Sequence, residues 1–245
     1  MDDKQINDSL NSRGFLSPAL GYVKARYRQQ FGQAFSDVED LSDLAQGLLI
    51  AAGVKRNEIH MIASIVFFQR AVRSCQTAIL LCEAGLVVEA QTLLRTAVEV
   101  IFYGGALATD ASVFQLIARA GDISDRKQAE AIINSRTCLE LTDEQVEQLG
   151  YVIQKGGGKE GGLSAIEAAR VAGLMELYDT VYRGFSSTAS HATFRSLDSS
   201  LEVTENSVRL LTGPTTHNLE FTLSIAKSCL AYTVQFLRNH FEFES

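Results

Sequence analysis

The sequence predicts an all-α protein, a bundle of four long antiparallel helices with shorter accessory helices. Three observations carry that expectation: capping-box patterns recur ahead of apolar runs, apolar residues repeat at helical spacing through most of the chain, and only one segment alternates with period two. Only 2 prolines stand in 245 residues, so little punctuation divides the chain, and one helical domain over residues 1–245 is expected. Its parts are N-terminal helices (1–56), a helical hairpin (57–109), accessory helices with a Gly-rich loop (110–162) and C-terminal bundle helices (163–245).

Each element has a local reason. Pro18, behind Ser17, suits a first helical position and opens a helix through Tyr22, Val23, Ala25 and Tyr27 towards Phe31. Ser36 with Glu39 reads as a capping box, ahead of Val38, Leu41, Leu44, Ala45, Leu48, Leu49 and Ala52 at helical spacing, and Gly53 ends the run. Glu58 to Glu83 is unbroken by Gly or Pro and predicts a rod of roughly 40 Å. Gly85 turns the chain into a second long helix, Leu86 to about Leu107, and so short a connection makes the two antiparallel neighbours. Residues 110–155 read as shorter, more polar helices on the outside, one of them opened by Thr142 with Gln145. KGGGKEGG, from Lys155 to Gly162, reads as a mobile loop, because ordering it costs more entropy than burial returns. Ser164 with Glu167 starts a third long helix, expected to run from Ala165 to about Ser187 or beyond. Residues 200–213 alternate around Glu205-Asn206 and predict a short β-hairpin, and His217 to Phe241 forms the fourth long helix.

Composition removes several function classes. With 22 basic against 29 acidic residues the net charge is −7, which disfavours a whole-surface grip on nucleic acid. The polar N-terminus lacks a signal-peptide pattern, so a cytoplasmic protein is expected. Charges at Arg70 and Arg73, and at Glu89, Arg95 and Glu99, interrupt the two apolar runs, so no membrane span is expected. Cys75, Cys82, Cys138 and Cys229 lack zinc spacing and read as buried reduced thiols, and no His falls in a metal-binding helix motif. Neither a metal nor another cofactor is expected. The sequence also lacks the G-x-S-x-G elbow of serine hydrolases, an E-x-x-H di-iron pair and a Walker-type phosphate loop.

The second long helix is the informative one. Gln91, Arg95, Glu99 and Tyr103 are spaced by four and form a polar line on an otherwise apolar helix. A second line, Asp179, Arg183, Ser187 and His191, lies on the third helix, flanked by Tyr178 and Tyr182, and a bundle can bring the two together. One reading makes Arg95 and Glu99 a structural ion pair that fixes helix register, with His191 hydrogen-bonded to a neighbouring helix. Another makes His191 a general acid or base, Arg95 a phosphate clamp, Glu99 its orienter and Ser187 a hydrogen-bond donor. In a third, the same residues hold a small anion or nucleotide.

The phrases L-L-R-T-A-V-E, with Arg95 and Glu99, and Y-R-G-F-S-S-T-A-S-H, with Ser187 and His191, resemble an all-helical family of unknown function that shows an R-x-x-x-E helix and a later S-x-x-x-H helix. The resemblance covers roughly residues 75–195, and that family is itself similar to the broad HEPN group of nucleotide-binding and RNA-cleaving helical domains. It implies a metal-independent endoribonuclease or nucleotide-binding effector in prokaryotic defence or toxin–antitoxin systems. RNA or nucleotide, a second copy of the chain in a homodimer, and a protein encoded nearby are the partners it implies. HEPN ribonucleases carry Arg and His four to six residues apart on one helix; here Arg183 and His191 have seven residues between them, so such a reaction would draw Arg95 from another helix.

Overall fold

The computed structural model describes residues 2–53, 57–135, 141–155, 161–187 and 200–243. Within these it is all-helical apart from two short antiparallel strand pairs. In order come α1 (Asp3–Arg13), α2 (Leu20–Gln30), α3 (Gly32–Ala51), β1 (Ala52–Gly53), α4 (Ile59–Glu83), α5 (Val87–Thr109), α6 (Val113–Asn134), α7 (Asp143–Lys155) and α8 (Ala165–Val171). Then follow α9 (Met175–Leu177), a π-helical turn (Tyr178–Tyr182), α10 (Arg183–Phe185), β2 (Leu201–Thr204), β3 (Ser207–Leu210), α11 (Leu219–His240) and β4 (Glu242–Phe243).

α4 and α5 form the expected antiparallel hairpin. Gly85 adopts φ +74°, and a Cβ there would lie 2.6 Å from Cβ of Pro214, so both the left-handed turn and the close packing of the 214–215 segment require glycine. The Thr215 amide donates to the Gly85 carbonyl at 3.1 Å and fastens the approach to α11 onto this turn. Phe68, Val72, Cys75 and Ile79 of α4 and Leu94, Val98 and Ile101 of α5 are buried with Leu223, Leu230 and Leu237 of α11. By length and composition alone α4, at 25 residues, is long and apolar enough to cross a membrane, a test that the core helix of a bundle passes as well. Its arginines do not break it because only two charges fall within an apolar window, and its buried face packs in the bundle.

The bundle's fourth long helix is α3, which packs on α4 and α11, rather than the expected helix from Ala165 to Ser187. That helix is interrupted: α8 ends at Val171, Gly173 takes φ +70°, and the chain resumes as α9, the π turn and α10 against α5. The start of α3 also differs. Gly32 begins it, so Ser36 lies inside, and Glu39 does not reach back as a cap because Arg28 holds it through two bonds of 2.8 and 2.5 Å. Arg28 also pairs with Glu83 through Nε, so one guanidinium ties together α2, α3 and the end of α4.

The remaining expectations divide cleanly. Thr142 with Gln145 and Ser164 with Glu167 are reciprocal caps, as expected. The accessory helices are polar and peripheral: α7 buries no residue and α6 only Val113 and Ala129. Over 110–135, where shorter helices were expected, there is one helix, since Gly121 has no neighbour and is absorbed. The capping box of α1, Asp2 with Gln5, escaped the sequence reading. The hairpin at 200–213 forms, with Leu201 opposite Leu210 and Val203 opposite Val208. A second pair, β1 with β4, was not expected. Cys75, Cys82 and Cys229 are buried free thiols, and burial pushes the Cys82 thiol up to about 12. Cys138 and most of the Gly-rich segment, 156–160, lie outside the described residues.

Candidate functional site

The polar line on α5 is present as a line, and each member reaches a different part of the C-terminal third. Gln91 is buried and donates through Nε2 to Thr222 Oγ1 of α11 at 3.0 Å. The Tyr103 hydroxyl donates to the Leu163 carbonyl at 3.1 Å, just ahead of α8, while its ring stacks on Phe67 at 5.8 Å. Between them Arg95 and Glu99 meet the π turn. An apolar helix can carry four such residues because each finds a partner when the later segment docks.

Arg95 is the hub. Its Nη1 donates to Glu99 Oε2 at 3.0 Å, Nη2 to the Tyr182 hydroxyl at 2.9 Å and Nε to Ser186 Oγ at 2.9 Å. Its Cζ lies 4.6 Å from the centroid of the Tyr182 ring. Ser186 in turn donates to the Tyr182 carbonyl at 2.7 Å. Three of five guanidinium N–H donors are therefore spent inside the protein, and the side chain is 22% exposed. Tyr182 stacks on Tyr178 at 5.2 Å and meets Phe102 edge-on, so its ring is fixed from two sides. Burial, then the nearby Glu99 carboxylate, hold the Tyr182 phenol above its usual range, although Arg95 pulls the other way. Burial and Glu99 likewise raise Tyr103.

The structure thus brings together two of the four sequence-derived site residues, Arg95 and Glu99. Ser187 is half-buried on the same helical stretch and donates to the Gly184 carbonyl; the partner of Arg95 is its neighbour Ser186. The reason is angular: Ser186, four residues beyond Tyr182, shares its face, whereas Ser187 lies about 100° further round. Asp179 and Arg183 form an exposed pair at 3.5 Å, away from Arg95. His191 lies outside the described residues. Among the described residues no three His, Cys, Asp or Glu side chains converge on a metal position.

Chemically the described cluster can hold an anion edge-on with the two remaining N–H donors of Arg95. The Ser186 hydroxyl accepts from Arg95 and gives its proton to the Tyr182 carbonyl, so among the described residues that proton is not held by a base.

No curated protein and no solved structure matches the chain. A family model does, over residues 61–208, which include all but the first two residues of α4, the whole of α5, the Arg95 cluster and the stretch leading to the hairpin. The chain belongs to that family, the family of unknown function DUF5677.

Proposed function

We propose that the chain is a non-catalytic helical binding module in which the Arg95–Glu99 pair is structural, pinning the π turn and α10 to α5. The observation that supports this most is the commitment of Arg95 to three partners on two elements, Glu99 on α5 and Tyr182 with Ser186 on the later stretch. A guanidinium bound in this way sets the register between segments about 90 residues apart in sequence.

A second reading is favoured by the two uncommitted N–H donors of Arg95. It is the HEPN-like one: a metal-independent endoribonuclease or nucleotide-binding effector of prokaryotic defence or toxin–antitoxin systems, cytoplasmic and working with a protein encoded nearby. There His191 moves the proton, Arg95 clamps the phosphate, Glu99 orients it and Ser187 donates a hydrogen bond. His191→Ala separates the two readings. The module predicts no RNA cleavage by either form and no change in a cell-toxicity assay, with stability the one property His191→Ala can alter. Cleavage by the parent chain, lost in His191→Ala with folding intact, overturns it.

Self-association as a symmetric dimer belongs to both readings. Leu201, Val203, Val208 and Leu210 share one face of the hairpin and are 39–72% exposed, more apolar surface than an isolated two-stranded hairpin carries comfortably in water. Light scattering should give twice the 26.8 kDa chain mass, and Val203→Lys with Val208→Lys should return it to one chain mass.

A further inference from the structure

α4 and α5 enclose a second feature, an open groove of about 410 Å³. It is lined by Arg70 and Arg73 with Gln69, Ser74, Val66 and, from α5, Leu93. Leu93 and Arg95 are two residues apart and so about 200° apart around the helix, which puts the groove on the opposite side of α5 from the Arg95 cluster. What is proposed for it therefore goes beyond the reading of that cluster and stands whichever way His191→Ala falls.

The lining contains no Asp or Glu in a chain of net charge −7. Among the described residues Arg28, Arg95, Arg126, Arg183 and Lys227 each meet a carboxylate, whereas Arg70 and Arg73 meet none. Residues three apart on a helix are neighbours, so two like charges share one wall without a counter-charge, at a cost in the empty state that an anion removes. Guanidinium forks match phosphate oxygens, and Gln69 and Ser74 add neutral donors beside them. Val66, 56% exposed, and Leu93 offer the apolar contact that a ring or carbon skeleton takes. The volume lies in the range of small-molecule sites, larger than a bare phosphate ion fills. A nucleic-acid strand fits less well, because α4 holds no other Arg or Lys along its 25 residues to follow a phosphate backbone.

We propose that this groove binds a small phosphorylated molecule, its phosphate held between Arg70 and Arg73 and its organic part against Val66 and Leu93.

The test is calorimetric titration of the full chain with inorganic phosphate, AMP, glucose 6-phosphate, adenosine and a short oligouridylate. A phosphate ester should bind more tightly than inorganic phosphate, which carries the anion alone, and more tightly than adenosine, which carries the ring alone. Arg70→Gln and Arg73→Gln should each weaken binding about tenfold and together about a hundredfold. Their melting temperatures should stay unchanged, since both side chains are exposed and without a carboxylate partner; Arg209→Gln on the hairpin should bind as the parent does. No binding of either ester or of phosphate at millimolar concentration overturns the proposal, as does binding that ignores both arginine variants. Tighter binding of the oligouridylate than of the esters, lost in the same variants, assigns the groove to nucleic acid and overturns it too.

Discussion

Tyr182 engages Arg95 twice: its ring centroid lies 4.6 Å from Cζ, and its hydroxyl accepts from Nη2 at 2.9 Å. The two contacts can be separated by mutation. Tyr182→Phe keeps the ring and removes one acceptor at a partly exposed donor, so a loss of about 1 kcal/mol in urea unfolding is expected. Tyr182→Ala also removes the packing on Tyr178 and Phe102, and about 3 kcal/mol is expected. Equal losses for the two variants would show that the ring contact contributes nothing.

A structural ion pair has its own signature in a double-mutant cycle. Arg95→Met and Glu99→Leu alone each strand a charge, while the double variant leaves none. Removing one partner of a fully buried pair costs about 3–5 kcal/mol; with side chains 22% and 32% exposed here, about 1–3 kcal/mol is expected for each single variant. The double variant should recover at least half of that. Strict additivity in chemical denaturation would count against the pair as a register device.

Stability should form a plateau between acid and alkaline edges. Burial raises the phenols of Tyr27, Tyr103 and Tyr182, so the folded chain keeps these protons to higher pH than the unfolded chain does. The stability they contribute is full below the ordinary tyrosine value of about 10 and is lost as pH rises through their folded values. At the other edge, the hydrogen bonds from Arg28 hold Glu39 low, so its contribution is present above the usual glutamate value of about 4.3 and is lost as pH falls through its lower folded value. Urea midpoints against pH check both edges; an Arg28→Gln chain should show a weaker acid edge.

Two glycines should respond to alanine with opposite signs. A Cβ at Gly105 would stand 2.7 Å from Cζ of Phe236 and 3.0 Å from Cβ of Ala172, so overpacking of about 1–3 kcal/mol outweighs a helix-propensity gain of about 1 kcal/mol. At Gly121, with nothing within 4 Å, only the gain remains, and Gly121→Ala should raise stability by about 0.5–1 kcal/mol. Melting curves of the two variants decide.

What was legible in the sequence followed from strong periodicity. The α4–α5 hairpin, α11 and the hairpin strands stand within a few residues of expectation because their apolar spacing and turn residues agree. The polar line was legible because Gln91, Arg95, Glu99 and Tyr103 violate an apolar face at a fixed interval. Ser186 was missed because the four-residue line through Asp179 and Arg183 points to Ser187, and only the position of Tyr182 against α5 makes Ser186 the neighbour. Gly173 falls inside the helix expected from Ala165 to Ser187, yet its positive φ ends α8; Ser36 looked like a cap, yet Arg28, distant in the pattern, takes the Glu39 that would complete it.

The position of α11 bears on how the chain acquires its fold. Gln91 meets Thr222 across 131 residues of sequence, and Phe236 stacks on Phe68 and abuts Gly105 from still further along the chain. The α4–α5 hairpin can form locally and early, but one of its faces stays wet until the last long helix docks, and closing so long an intervening loop is slow. A fragment ending before Leu219 would keep that face uncovered and aggregate, and refolding from denaturant should speed up when the α11 contacts are brought nearer in sequence by circular permutation.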